Sequence, residues 1–117
     1  MKKKVLLGTV VLMSLGFGLS AHADCPFPKA PTTIPDGKTA AEAEMIAAMN
    51  AFKAYKDEVK AFQACLDEET KAKAASGGSS MTFKTMQAKK LDAAVDELKS
   101  KAALFNEQVR IFKARTG

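Results

Sequence analysis

Two cysteines, Cys25 and Cys65, stand forty positions apart in a chain of 117 residues. That separation lacks the C-x-x-C spacing of thiol oxidoreductases, which weakens a redox-active reading. An even count in a small exported domain points to a disulfide between them, with an intermolecular bridge as the alternative. The densest carboxylates are Asp67-Glu68-Glu69. They lack the glycine turn and alternating oxygen ligands of a calcium loop, and they fall on a predicted helix. A solvated helix end is the better reading, and no metal or cofactor is expected. Acid–base catalysis would have to rest on carboxylates or on Tyr55, because the only histidine, His22, lies in a segment that reads as removable.

That segment begins with Lys2-Lys3-Lys4, continues through an apolar run from Val5 to Leu19, and reaches Ala21-His22-Ala23. The pattern is that of a secretory signal peptide over residues 1–23, with cleavage expected after Ala23. A retained anchor is the alternative, but the run is short for a span that needs about 20 apolar residues. Asp24 before Cys25 disfavours lipid attachment. Removing 1–23 leaves 94 residues and lowers the formal charge from +5 to +2, so the basic balance belongs largely to the leader. A mature chain without His or Trp has no side chain whose unperturbed pKa lies near neutrality. An enzyme is not expected, and the periplasm is the expected location.

The elements that must position these residues follow from a mirror pattern about Gly77-Gly78-Ser79-Ser80. Met45, Phe52, Val59 and Leu66 recur every seven residues, interleaved with Ala48, Tyr55 and Phe62. After the glycines come Leu91, Leu98, Phe105 and Phe112, interleaved with Ala88, Val95, Ala102 and Val109. Each set makes one apolar helical seam. Folding at the turn pairs residues whose numbers add to 157: Met45 with Phe112, Phe52 with Phe105, Val59 with Leu98, Leu66 with Leu91. The predicted fold is all-α: an antiparallel, coiled-coil-like two-helix hairpin over 39–117. Helix 1 is expected at about 40–75, the turn at 76–80 and helix 2 at about 81–114. Ser79, Ser80 or Thr82 could cap helix 2.

Residues 24–38, DCPFPKAPTTIPDGK, hold four prolines and favour an extended arm. Asp36-Gly37 reads as its turn, and Thr39-Ala40-Ala41-Glu42 fits a capping box. Thr39 to Cys65 spans roughly 39 Å as helix, and Thr39 back to Cys25 roughly 43 Å as polyproline. The arm can therefore run back along helix 1 and be tied to it by the disulfide. Ala40, Ala47, Ala54 and Ala61 offer a small-residue surface for it, or merely reflect alanine's helix propensity. Phe27 and Ile34 are the expected anchors.

Several apolar residues lie outside the seam. Ile46, Met49, Leu104 and Ile111 group at the open end, where the arm, passing Ile34 close to them, is expected to cover them. Met81, Phe83 and Met86 lie beside the turn and are the expected partner contact, since exposed apolar patches mark interaction sites. Lysines are interleaved with acids along both helices, without one basic face carrying stacking aromatics, so nucleic-acid binding is not expected.

The arm and first helix resemble a group of small uncharacterised periplasmic proteins of Gram-negative bacteria. The likeness rests on Cys25-Pro26-Phe27-Pro28, Ile34-Pro35-Asp36-Gly37, Glu44-Met45, Tyr55 and Ala64-Cys65-Leu66. It covers roughly 25–66 and implies export and paired cysteines, with no activity attached. The expected role is a non-enzymatic envelope protein that binds another protein or itself. A chaperone-like or membrane-surface module using the Met81, Phe83 and Met86 tip is the alternative.

Overall fold

The computed structural model of the protein describes residues 25–78 and 80–117. Residues 1–24, where a leader and its cleavage after Ala23 are expected, and Ser79 lie outside the described residues. Two helices form where the heptads predict them: α1 (Glu42–Ala75) and α2 (Met81–Thr116), with no strand among the described residues. The seam of α1 buries Met45, Ala48, Phe52, Tyr55, Val59, Phe62 and Leu66. The Phe52 ring stacks on Phe105 with centroids 4.9 Å apart and planes within 10°. Those two residue numbers add to 157, so the mirror register describes the centre of the hairpin.

Near the turn the seam departs from the predicted one. Ala88 is exposed, and Gln87 is buried beside it, donating its side-chain N–H to the Leu66 carbonyl at 3.3 Å. The cause is a third element in the core: Cys25 packs with Phe62, Leu66, Leu91 and the fully buried Ala94. There α2 meets the core with Gln87 and Ala94, the positions on the arm's side of its seam.

Both ends of the turn have local explanations. Gly77 adopts φ +76°, and its N–H bonds to the Ala74 carbonyl while that of Gly78 bonds to Lys73. This is a Schellman ending, which favours glycine because a Cβ is costly in the left-handed region. Ser80 caps α2, its hydroxyl accepting from the Phe83 N–H at 3.1 Å. The start of α1 differs from expectation. The N-cap is Ala41, not Thr39, and only the carboxylate half of a capping box exists, Glu44 accepting from the Ala41 N–H. Thr39 and Ala40 are instead held in the turn, both donating to the Asp36 carbonyl.

The arm is tied at both ends. At one, the disulfide joins Cys25 to Cys65. At the other, Gly37 N–H donates to Gln108 Oε1 at 2.8 Å, and Arg115 donates to the carbonyls of Gly37 and Ala40 at 3.1 and 2.6 Å. In between, Phe27 meets Phe62 edge-on at 5.5 Å, Lys29 N–H donates to Glu58, and Ala30 and Ile34 pack on the main core. The arm therefore lies along the groove between the helices and touches both, rather than following helix 1 alone. A Cβ at Gly37 would collide with the Gln108 carbonyl oxygen and crowd the Phe112 nitrogen. Gly37→Ala is expected to cost about 1–3 kcal/mol, the range for overpacking, read as a lower urea midpoint. An unchanged midpoint would mean that the turn does not press on α2.

Candidate functional site: the open interhelical groove

An antiparallel helix pair has two lateral grooves, one on each side of its seam. On α1 one flank carries Ala51, Glu58 and Cys65, and the other carries Met49, Lys56 and Gln63. The arm occupies the first groove. Its prolines and threonines share a hollow with Ala47, Ala48 and Ala51, and Phe27 and Pro28 share one with Ala61 and Phe62. Ala47, Ala51, Ala54 and Ala61 stay exposed, so the arm skirts the alanine surface and is held by Phe62, Glu58 and the disulfide instead.

The second groove is left open. A cavity of about 190 Å³ at its end is lined by Met45, Ile46, Met49, Phe105, Val109 and Phe112, with Glu42 and Lys113 at the rim. Ile46 and Met49 are 47% and 42% exposed, so the arm does not cover them. The expectation that the arm covers the open-end apolar group fails for three of its four residues: the arm passes close to Leu104 and Ile111, but Leu104 stays 53% exposed. Ile34 and Pro35 line a hollow with Leu104 and Ile111, whereas Ile46 and Met49 face the opposite groove. The division follows from heptad position, which separates the flanks by most of a half-turn.

Charge divides the same way only in part. Glu44 and Glu58 fall on the arm flank of α1, while Lys53, Lys56 and Lys60 fall on the open flank together with Glu42 and Asp67; on α2 the open flank carries Asp92 and Asp96 beside Lys99, and the arm flank carries Lys101. Residues facing across the open groove have numbers adding to 155, as Glu42 and Lys113 show by sharing its rim. That register sets Lys56 opposite Lys99. Lys53, Lys56, Lys60 and Lys99 are all exposed, and none is in an ion pair among the described residues.

The other residues singled out from sequence are dispersed. Cys25 and Cys65 are bridged, and Glu69 Oε1 lies 2.8 Å from Cys25 Sγ. Cys25, Cys65 and Glu69 hold three potential ligand atoms within 4.8 Å of one another. With both sulfurs in the bridge no thiolate is present, and the carboxylate alone could ligate. The bridged sulfur has no proton to donate, so the Glu69 contact is one of packing. Near the turn, Met81 and Met86 are 78% and 54% exposed, and Phe83 is half-buried beneath Lys73, whose Nζ lies 5.5 Å from the ring centroid. Phe83 and Met86 lie on neighbouring sides of α2, but Met81 points from another, so the three do not share one face. No helix among the described residues is long and apolar enough to cross a membrane.

Tyr55 is 2% exposed, and its hydroxyl has no hydrogen-bond partner among the described residues. Burial, and secondarily the carboxylates of Glu97 and Glu58, push its pKa above the ordinary phenol value. A neutral, buried phenol is a poor base near pH 7. Removing an unsatisfied buried hydroxyl is expected to help, so Tyr55→Phe should raise stability by about 1 kcal/mol at neutral pH. The pH dependence has a definite sign. The unfolded phenol ionises near about pH 10, and the folded one ionises later, so the Tyr55 contribution is constant below that pH and is lost as pH rises through the folded pKa. Urea midpoints between neutral and alkaline pH should fall less steeply for Tyr55→Phe than for the native protein; equal slopes would place the phenol in water.

No protein-family model, curated protein or solved structure matches the chain.

Proposed function

We propose that this protein is a non-enzymatic, exported interaction module of the cell envelope. In this reading the chain is processed after Ala23, oxidised between Cys25 and Cys65 in the periplasm, and uses its helical surface to bind another protein. The observation that carries the reading is the unequal treatment of the two grooves. The chain lays its own arm along one, although Leu104 there stays exposed, and no described segment lies along the other, where Ile46 and Met49 are exposed. Small soluble proteins usually cover contiguous apolar surface, and surface left open marks a contact. The one tyrosine, buried and held neutral, supports a role other than acid–base catalysis.

The test is photo-crosslinking in the periplasm from positions spread over both helices and the tip, followed by mass spectrometry of the adducts, together with light scattering of the purified protein. The reading expects a discrete adduct from a contiguous set of positions. A monomer that gives no specific adduct from any face contradicts it.

A further inference from the structure

The geometry points to an acidic amphipathic helix of a partner protein as the occupant of the open groove, with its apolar stripe on Ile46 and Met49 and its carboxylates on Lys53, Lys56, Lys60 and Lys99. This rests on the interaction-module reading and names the surface and chemistry that reading leaves open.

Three features select this occupant. The first is shape: the exposed Ile46 and Met49 flank a floor made by the buried Met45 and Phe105. A third helix can reach such a floor by ridges-into-grooves packing, whereas a flat bilayer surface meets only the rims. The second is charge. Beyond the apolar end the groove carries Lys53, Lys56 and Lys60 on α1 and Lys99 on α2, with Lys56 facing Lys99 and no ion pair at either among the described residues; Asp92 and Asp96 share the α2 flank but leave the cations in excess there. Like charges facing across a groove repel, and an acidic ligand converts that repulsion into attraction. The third is that the face does not suit itself. A two-fold contact between copies centred on the lysines sets cation against cation, and one centred on Met49 lays Lys53 on the second copy's apolar end, with only Lys56 against Glu42 of the second copy to offset it. Away from this groove, the cation that binds the arm's turn already has its partners: Arg115 is committed to Gly37 and Ala40.

The proposal is tested with the oxidised mature protein and a fluorescent helical peptide of about three heptads, with leucine at the a and d positions and glutamate at e and g. A matched peptide with lysine in place of glutamate is the control. Binding is expected for the acidic peptide only, weakening with salt, because exposed charge pairs are screened. Lys56→Glu with Lys99→Glu is expected to lower that affinity at least about 10-fold and to favour the basic peptide instead. Met49→Ser is expected to weaken the acidic peptide, and Met86→Ser at the tip to leave it unchanged. Helicity by circular dichroism confirms that each variant is folded.

Each alternative occupant overturns the proposal in its own way. Binding to phosphatidylglycerol vesicles that depends on Met49 and Lys56, without peptide binding, assigns the groove to a membrane. A Met49-dependent dimer in sedimentation equilibrium assigns it to a second copy. Peptide binding that survives both groove variants, or no peptide binding at all, removes the groove from consideration. Periplasmic adducts from the tip or arm face alone would then leave the interaction-module reading standing without this site, while adducts from no face would end both.

Discussion

Replacing Cys25 and Cys65 together by serine is expected to cost about 4 kcal/mol of stability in the chain-entropy account of a bridge closing a loop of this length. The two cysteines are 40 positions apart in sequence. For a chain of this size, total stability is of the order of 5–15 kcal/mol, so the variant should unfold in far less urea. The loss has a structural direction. Without the bridge the Cys25 end of the arm is held only by neighbours such as Phe62, while Gly37 remains fixed by Gln108 and Arg115. The arm should therefore peel from its Cys25 end first, with the helices retained. Circular dichroism should show near-native helicity at zero denaturant and a shifted urea midpoint. A midpoint unchanged within error would mean that the bridge contributes nothing to holding the arm.

Phe52→Ala is the second large effect, at about 3–5 kcal/mol, the range for deleting a buried aromatic from a core. Phe52 is 6% exposed, stacks on Phe105, and meets Tyr55 edge-on with centroids 6.3 Å apart. Removing it empties the centre of a core that is only two helices and an arm thick, with little nearby to collapse inward. Phe105→Ala should cost a similar amount, and a double-mutant cycle should return a coupling of about 0.5–1.5 kcal/mol beyond area burial. Coupling near zero would mean that the rings do not meet, and that the helices pair in another register. Phe83→Ala, at a half-buried position near the turn, is the matched control and should cost much less.

The hairpin is legible in the sequence because its signal is geometric. Seven-residue spacing on both sides of the glycines specifies not just two helices but their pairing, and the stack of Phe52 on Phe105 falls where that spacing puts it. The length match between the polyproline arm and the first helix likewise anticipates the bridge. What the spacing cannot supply is the arm's lateral position. The length of an extended chain fixes how far it reaches, not which side of the seam it takes. That choice rests on long-range contacts, Gly37 against α2 and Arg115 back to the turn, more than seventy positions apart in sequence.

Two local differences share that origin. Gln87 takes the buried place expected for Ala88 because the arm's end adds Cys25 to the core beside Leu66 and Ala94. Thr39 does not cap α1 because the reverse turn on Asp36 draws Thr39 and Ala40 out of helical geometry. The open groove is legible only in part. Ile46 and Met49 stand out as unused apolar residues, but the lysines beside them look evenly mixed with acids along the chain. Assigning each residue to a flank gathers Lys53, Lys56, Lys60 and Lys99 along the open groove, with Asp92 and Asp96 among them, and the arm shows which flank is the open one.

The arm runs along one groove and leaves the other uncovered, and hydroxyl-radical footprinting of residues 24–117, oxidised and then reduced, tests this most directly. Reduction should raise labelling at Phe62 and Leu66, which lie beneath the released end of the arm, and leave Met49 as reactive as before. If Met49 changes on reduction, or if Phe62 and Leu66 do not, the arm does not divide the two grooves and the account is wrong.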